Sequence, residues 1–281
     1  MSTYRNRSEG WRHAKVSGHE NEEDVEQFFQ HDDFRRHIEE RLGVPRIVQA
    51  TVGGICEKNV SSILGDLTKS KTDLRLVLED GKNINISIKK SSGGQVYLIG
   101  VDRFIAGFEL HFKKIIPKDV KEALYLFFFG HTQTDKILED PTITGDLSTH
   151  ALRYVKKRHR LTETLLRRYN SNMADALISW FNENKGLIAD FCFSKGLAAN
   201  KGDWADYVWY INLLGEDSFD TIYPINDIVY AVDLSSDKVF YGNRQGGTTI
   251  QLPFGFVQWH QEQIQFHHNL DKIVEILPNG I

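Results

Sequence analysis

The stretch from Lys71 to Gln95 constrains the fold most strongly, because it specifies a β-hairpin with polar side chains gathered near its open end. Two runs in which apolar and polar residues alternate, Leu74 to Leu78 and Ile84 to Ile88, flank the segment Glu79-Asp-Gly-Lys82. Alternation at a period of two is typical of a half-buried strand, and Asp-Gly is a strong signal for a tight hairpin turn.

Three polar side chains are expected to converge on this hairpin. Ser87 and Lys89 lie two residues apart near the end of the second strand, so they point to the same face. Asp73 lies at the start of the first strand, and in an antiparallel hairpin that position is beside the end of the second. The sequence therefore predicts a carboxylate, a hydroxyl and an amine on one patch.

This combination suits phosphate chemistry. A carboxylate and a neighbouring oxygen can hold Mg²⁺, which prefers oxygen ligands and keeps several waters. A lysine beside such a site can orient a water molecule and stabilise charge that develops on a phosphate. The alternative is an ordinary solvated strand face, because short patterns of this kind are common.

Composition narrows the class of protein. The chain has 281 residues, a formal charge of −4 and two cysteines, Cys56 and Cys192. The charge argues against an indiscriminate nucleic-acid coat but leaves room for a local basic cleft. Two cysteines exclude a disulfide framework or a Cys-rich metal site, which fits a reducing cytoplasm. We see no apolar run suited to a membrane span and no signal peptide, so no membrane association is expected.

The remaining pattern predicts a mixed α/β fold in a single domain over 1–281, with a helical region at about 147–210 and a C-terminal β region at about 220–270. A helix is expected to start at Asp203, and Asn59 to Lys69 is expected to be a loop or short helix. Outside the hairpin, the predicted helices are Asn21–Phe29, Phe34–Leu42 and Asp102–Phe112. The predicted strands are Arg46–Val52, Val96–Val101, Thr221–Tyr223, Ile228–Val232, Val239–Tyr241 and Thr248–Leu252.

Three other segments have both a functional and a plain interpretation. Glu22 and Glu26 lie one helical turn apart and could serve a site, or they could merely complement the helix dipole. The basic stretch Arg153–Arg160, with Arg167 and Arg168, could face a DNA backbone or be a solvated helix face. The polar loop after Lys89 could hold phosphates or simply connect two strands.

Several segments together resemble small type II restriction endonucleases of the PD-(D/E)XK superfamily that cut four-base GC-rich palindromes (CCGG or GCGC). The hairpin is similar to their catalytic hairpin, except that Thr72 stands in place of proline and Ser87 in place of the usual second acid. The other segments that carry the resemblance are Ala14-Lys15 with Gly18–Glu22, and Gly202–Val208, which resembles a helical part of the group. Thr249–Gln251 and Ile264–Phe266 resemble the two strands that bracket the group's C-terminal recognition loop.

The resemblance implies a fold and an activity. The fold would be a central mixed β-sheet flanked by helices, a PD-(D/E)XK nuclease core with a helical insertion. The chain would then be a single nuclease domain, with its catalytic core at about 11–130 and its DNA-recognition β region at about 220–270. The activity would be Mg²⁺-dependent cleavage of double-stranded DNA at a short palindromic site, leaving 5′-phosphate ends. Asp73, Ser87, Ile88 and Glu22 would form the metal site, and Lys89 would position the attacking water.

The resemblance also implies which residues contact DNA. The residues expected to bind it are Lys15, Lys90, Ser91, Ser92, Gln95, Arg244, Gln251, Gln258, His260, Gln261, Gln263 and His267. Relatives carry Arg, Lys and Gly where this chain has Leu252-Pro-Phe-Gly255. Because Gln favours adenine and Arg favours guanine, a different site that contains A·T pairs is expected. The alternative is that these amides satisfy the strands and solvent.

A specific cutter of this group would act in the bacterial cytoplasm beside a cognate DNA methyltransferase that protects the host. A short twofold site is suited to a symmetric homodimer, while some relatives act as monomers, and the sequence leaves this choice open. Two other functions also stay open: a structure-specific repair nuclease of the same superfamily, and a non-catalytic DNA-binding protein in which Ser87 marks a decayed site.

Overall fold

In a computed structural model of the chain, the described residues are Val25, 27–52, 59–129, 132–212, 219–243 and 246–280. They form a mixed α/β structure, which confirms the predicted fold class, with two five-stranded sheets and a two-stranded one. The chain divides into two compact units, 1–92 with 193–227 and 279–281, and 93–192 with 228–278. Within the described ranges, no helix is both long and apolar enough to cross a membrane.

The strands and helices are numbered in chain order. The strands are β1 (Ile47–Val52), β2 (Asn59–Ser61), β3 (Leu67–Lys69), β4 (Leu74–Leu78), β5 (Asn83–Lys89), β6 (Gly93–Gly100), β7 (Tyr207–Ile211), β8 (Asp220–Pro224), β9 (Phe240–Gly242), β10 (Thr249–Leu252), β11 (Gly255–His260) and β12 (Gln263–Asn269). The helices are α1 (Asp32–Leu42), α2 (Val101–Phe112), α3 (Lys118–Leu124), α4 (Thr132–Glu139), α5 (Pro141–Thr144), α6 (Thr149–Arg158), α7 (Glu163–Glu183), α8 (Lys185–Asp190), α9 (Ile225–Leu234) and α10 (Leu270–Ile276). Tyr125–Phe129 and Phe191–Lys195 are π-helical turns.

The first unit is built on a mixed sheet of strand order β1-β4-β5-β7-β8. All neighbours are antiparallel except β5 and β7, which run parallel. One side of α1 joins the apolar side chains of β4 and β5 in a buried cluster that includes Ile38, Leu76, Ile86 and Trp209. This burial fixes the register of the hairpin, because a slip by one residue would turn its apolar side chains away from the cluster.

The predicted hairpin is confirmed, with Leu74 opposite Ile86 and Leu76 opposite Ile84. Its turn forms where Asp-Gly predicts it: Gly81 has a φ of +80°, a conformation that glycine adopts at low cost. The Leu78 amide donates to the Lys82 carbonyl at 2.8 Å, and the Asp80 carboxylate accepts from the Lys82 amide at 3.0 Å. The turn therefore sets which residues of β4 and β5 face each other.

Strand β5 lies at the centre of the sheet, so two of its polar residues, Asn85 and Ser87, are buried. The Asn85 side chain donates to the carbonyls of Gly202 and Trp204, both at 2.9 Å, and accepts from Arg75 Nε at 3.0 Å. The Asn85 backbone exchanges two further hydrogen bonds with Asp206. The hairpin is thus braced by the segment that precedes β7.

The second unit is built on an antiparallel sheet of order β6-β12-β11-β10-β9. One side of this sheet is apolar and fully buried, with Ile250, Val257, Ile264 and Phe266. Phe266 packs there against Phe104 of α2, with ring centroids 5.6 Å apart. The other side carries amides and imidazoles that alternate with these residues along the strands.

Four predictions of secondary structure are wrong. Ile228–Val232 lies in helix α9 instead of a strand, because Ile225, Ile228 and Val232 recur at helical spacing and are all buried. Residues 207–211, placed in the helical region, form the buried parallel strand β7, and the expected helix at Asp203 is a short 3₁₀ turn at Lys201–Asp203. Asn59–Lys69 pairs with itself as β2 and β3.

Candidate functional site

Asp73 directly precedes β4 and is held in place through both its backbone and its side chain. Its backbone amide donates to the Ile86 carbonyl at 2.9 Å. Its Oδ2 atom accepts from the Ile88 amide at 2.8 Å and from Ser87 Oγ at 3.0 Å. The carboxylate is therefore fixed against the end of β5 by two hydrogen bonds.

Lys89 completes the group. Its Nζ donates to Ser87 Oγ at 2.6 Å and to the Ile88 carbonyl at 3.0 Å, and it lies 3.6 Å from Asp73 Oδ2. The side chains of Lys89 and Asp73 are 16% and 20% exposed, so the ion pair is largely shielded yet open to solvent on one side. The structure thus brings together Asp73, Ser87, Ile88 and Lys89 as the sequence predicts, and their chemical roles stay predictions.

The neighbouring strand supports this arrangement. Strand β7 runs parallel to β5, with Val208 beside Ser87 and Tyr210 beside Lys89. Val208 and Tyr210 are fully buried, and burial raises the pKa of the Tyr210 hydroxyl far above its usual value, so it stays neutral. An ordered, uncharged strand therefore holds the end of β5 that carries Ser87 and Lys89.

The residues fit a weakly held divalent cation. Asp73 Oδ1 accepts no hydrogen bond from the described residues, and carboxylate, hydroxyl and carbonyl oxygens are the donors that Mg²⁺ prefers. In the described ranges no three His, Cys, Asp or Glu side chains gather as a metal cluster. A cation at Asp73 would keep most of its water or take oxygens from a phosphate. Glu22 and Lys15 lie outside the described residues.

Two of the predicted metal ligands are hydrogen-bonded to the Lys89 amine in the structure. Ser87 Oγ and the Ile88 carbonyl both accept from Lys89 Nζ, so a cation could use these oxygens only if the ammonium moved. Ser87 is also 2% exposed, which leaves its hydroxyl little access to anything except Asp73 and Lys89. In the structure Ser87 links the carboxylate to the amine.

The residues that flank the group differ in exposure. Ser91 and Ser92 are exposed and Lys90 is half-buried, in the short loop between β5 and β6. On the other side, Thr72 is 3% exposed, and its Oγ1 has no hydrogen-bond partner within the described part of the chain. The predicted phosphate-contacting loop is therefore accessible, whereas Thr72 belongs to the interior.

A chain of amides crosses the polar side of the second sheet. Gln258 Nε2 donates to Gln265 Oε1 at 2.9 Å and contacts His267 Nε2 at 3.2 Å. Gln265 Nε2 then donates to Gln95 Oε1 at 2.8 Å. The structure thus brings together Gln95, Gln258 and His267, three of the residues expected to bind DNA. They are joined by Gln265, which the sequence prediction did not include although it alternates with Gln263 and His267 at strand spacing.

The imidazole of His267, which contacts these amides, is neutral near pH 7. His267 stacks on Phe256, with ring centroids 4.4 Å apart and planes 7° from parallel. Burial, with a smaller contribution from His260, lowers the pKa of His267 to about 4. The polar side of the sheet therefore carries no charge from His267.

The other predicted base-contacting residues lie around this chain. Gln251 and Gln263 are half-buried on β10 and β12, and His260 ends β11. Gln261 is in the two-residue turn between β11 and β12 and adopts a φ of +49°. Arg244 lies outside the described residues.

Two further segments are placed differently from what the sequence suggests. Leu252–Gly255 is a tight, buried hairpin turn in which Phe254 is fully enclosed, so it does not project as a recognition loop. Arg160 is likewise buried and donates to the carbonyl of Thr248, directly before β10, at 3.0 Å, so the end of the basic stretch is anchored in the interior. Arg160 therefore does not face DNA.

Comparison with solved structures gives a distant likeness. The chain is similar to the restriction endonuclease MspI in complex with its cognate DNA. The TM-score is 0.45 and the sequence identity 10%, over 88% of this chain and 83% of that one. No family model matches the chain, and no curated protein matches it.

The basic stretch itself is only partly available to a ligand. Arg158 lies over the rings of Tyr154 and Trp259, at 3.6 and 5.7 Å from their centroids. Arg167 is paired with Glu163 and Asp175. The exposed cations of helix α6 are Arg153, Lys156 and Lys157.

Proposed function

We propose that the protein is a Mg²⁺-dependent endodeoxyribonuclease that cuts double-stranded DNA at a short specific site, as type II restriction endonucleases do. The observation that carries the proposal is the group at the end of the hairpin, where Lys89 Nζ lies 3.6 Å from Asp73 Oδ2. A carboxylate that can hold a hard cation and an ammonium beside it are what hydrolysis of a phosphodiester requires.

Each residue of the group has a distinct task in this proposal. Asp73 would hold the cation with its Oδ1 atom, which accepts no hydrogen bond from the described residues, while its Oδ2 stays fixed by Ser87 and the Ile88 amide. Mg²⁺, when bound, supplies positive charge against the phosphate oxygens. Lys89 turns from Ser87 and the Ile88 carbonyl toward the scissile phosphate, where its ammonium orients water and stabilises the developing negative charge.

With one carboxylate in the described site, Mg²⁺ would be held weakly by the protein alone and more strongly with phosphate oxygens. Glu22 is proposed as a second acid, from its place in the sequence resemblance. Lys15, Lys90, Ser91 and Ser92 are proposed to contact the DNA backbone. Gln95 and Arg244 are proposed to contact DNA as well, and the Gln and His residues of β10 to β12 to read bases.

The biological setting is part of the proposal. A site-specific cutter would work in the bacterial cytoplasm beside a cognate DNA methyltransferase, and a palindromic site would suit a symmetric homodimer.

A non-catalytic DNA-binding protein is the second candidate, and one specific observation favours it. The Lys89 ammonium already occupies Ser87 Oγ and the Ile88 carbonyl, which leaves one open carboxylate oxygen for a cation. If the site has decayed in this way, replacing Ser87 by Asp would restore a second acid and create metal-dependent cleavage that the natural chain lacks.

The test is incubation of the protein with long unmethylated duplex DNA, with Mg²⁺ or with EDTA, beside Lys89→Ala and the matched control Lys82→Ala. Lys82 is an exposed lysine in the turn of the same hairpin, away from the proposed site. Discrete fragments that need Mg²⁺, persist in Lys82→Ala and disappear in Lys89→Ala support a specific nuclease, and sequencing their ends gives the site.

The other outcomes separate the competing functions. Cleavage confined to branched or damaged duplexes would indicate a structure-specific repair nuclease. Specific binding without cleavage by the natural chain, together with cleavage by Ser87→Asp, would replace the proposal with the non-catalytic DNA-binding protein.

A further inference from the structure

The sheet of the second unit has an unusual charge pattern. None of its five strands, β6 and β9 to β12, contains Asp, Glu, Lys or Arg. A surface that binds a phosphate backbone needs cations, because neutralising phosphates supplies most of that affinity. The polar side of this sheet, which we call the amide face, therefore suits a partner with neutral hydrogen-bonding edges, and the edges of DNA bases are of this kind.

The amides on this face are not equally available. Gln258 uses both N–H groups, toward Gln265 and His267, and Gln265 is buried. Gln251 donates one N–H to Thr249 Oγ1 at 3.2 Å, and its other N–H and its carbonyl oxygen have no partner among the described residues. Gln263 is half-buried and has no hydrogen bond from its side chain to the described residues. Gln251 and Gln263 each still offer a donor and an acceptor together.

A glycine makes room for one of these amides. Gly242 pairs with Thr249 across β9 and β10. A Cβ atom at this position would lie against Thr249 Oγ1 and 2.9 Å from Gln251 Nε2. The missing side chain lets the Thr249 hydroxyl and the Gln251 amide lie close to the neighbouring strand.

The spacing of the two amides suits a short site. Gln251 pairs with Phe256, which pairs with His267, and Gln263 lies four residues before His267 on β12. With strands about 4.8 Å apart and about 3.4 Å per residue, the two positions are roughly 17 Å apart. Stacked base pairs rise about 3.4 Å each, so the two positions span roughly five of them.

We propose that the amide face reads adenine, with Gln251 and Gln263 as the specificity-determining residues and the chain Gln95–Gln265–Gln258–His267 as the scaffold that positions the strands. An amide donates to adenine N7 and accepts from its N6 amino group at once, in the major groove. The inference rests on the proposed function, because it assigns base specificity to a protein that binds duplex DNA.

The experiment selects duplexes from a random-sequence library, with Lys89→Ala protein so that bound DNA stays intact. Selection is repeated in that background with Gln251→Glu, Gln263→Glu and the control Gln49→Glu. Gln49 is matched to Gln251, because it also donates to a threonine hydroxyl two residues away on an exposed strand, at 3.2 Å. A glutamate loses the donor for adenine N7 but still accepts from the cytosine amino group.

We expect the selected site to contain A·T pairs. Gln251→Glu and Gln263→Glu should each change one position from adenine to cytosine, weaken binding to the original site about 10-fold or more, and leave the other positions unchanged, while Gln49→Glu selects the original site. As a test that needs no sheet variant, replacing adenine by 7-deazaadenine removes N7 and should weaken binding by the Lys89→Ala protein to a similar extent.

Two outcomes overturn the inference in distinguishable ways. A selected site of G·C pairs alone, or one unchanged in both glutamate variants and unaffected by 7-deazaadenine, refutes adenine reading while specific DNA binding stands. No enrichment of any sequence would remove specific DNA recognition and this inference with it.

Discussion

The ion pair between Asp73 and Lys89 should contribute measurably to folding, and a double-mutant cycle can isolate its contribution. The pair is 3.6 Å long, so Coulomb's law gives about 5 kcal/mol at an effective dielectric of about 20 and about 1 kcal/mol in water. Because the two side chains are 16% and 20% exposed, we expect a coupling energy between these limits, about 2 kcal/mol.

The variants are Asp73→Asn, Lys89→Met and their combination, measured by urea-induced unfolding in EDTA. The first substitution keeps the size of the side chain, and the second keeps most of the length of the apolar stem. The coupling should fall as salt is added, but less steeply than for an exposed pair. A coupling below about 0.5 kcal/mol would show that solvent screens the site far more than its burial indicates.

The same hairpin provides the control. Lys82 and Asp80 form a shorter pair, 2.8 Å, in the exposed turn. The hydrogen bond between them lowers the pKa of Asp80 and raises the pKa of Lys82. Because both groups are solvated, a cycle on this pair should show no measurable coupling. A larger coupling here than at Asp73 and Lys89 would contradict the assignment of energy to burial.

Four other measurements test separate parts of the account. Thr72→Val should raise the free energy of unfolding by about 1 kcal/mol, because it removes a buried hydroxyl that has no partner among the described residues. If the variant instead lowers the free energy of unfolding by a similar amount, the hydroxyl has a hydrogen-bond partner. Asn85→Asp should cost about 3 kcal/mol, since a carboxylate would face two carbonyl oxygens, whereas Asn83→Asp on the exposed start of β5 should cost little. The pKa of His267 is lowered from 6.5 to about 4, so the unfolded chain binds more protons between these values; stability should fall as pH drops from 6.5 to about 4, and less so in His267→Asn. Calorimetry should show much weaker Mg²⁺ binding to the free protein than to its DNA complex, and tight stoichiometric binding to the free protein would count against the site.

The hairpin could be predicted because its signals are local. Alternation in β4 and β5 fixes the faces, and Asp80-Gly81 fixes the turn, so the register and the meeting of Asp73 with Ser87 and Lys89 follow. The hydrogen bonds of Lys89 to Ser87 and the Ile88 carbonyl could not be predicted. They depend on where a flexible side chain rests once β7 has closed the sheet beside it.

The wrong predictions share a physical cause. Ile228–Val232 is rich in β-branched residues, yet packing of Ile225, Ile228 and Val232 on one side of a helix outweighs that local preference. Strand β7 is nearly all buried, so it lacks the alternation that identifies a strand with one exposed face. In both segments the environment set by distant parts of the chain decides the structure.

The buried hairpin turn at Leu252–Gly255 shows the same limit in the candidate DNA-binding region. Its place between two predicted strands suggests a loop, but Phe254 is enclosed by the unit around it. Gln265 was overlooked for the opposite reason: its strand was predicted, yet its link to Gln95 joins residues 170 positions apart. Contacts of this range become visible only when the strands are assembled.

The measurement that tests the central claim most directly is the single-turnover rate of DNA cleavage in Mg²⁺ by the natural chain, Lys89→Ala and Lys82→Ala. If Lys89 stabilises charge in the reaction, its removal should slow cleavage by about 10²-fold or more while DNA binding persists, and Lys82→Ala should cleave at the natural rate. Equal rates for all three proteins, or cleavage that continues in EDTA, would contradict a metal-dependent site at the end of this hairpin.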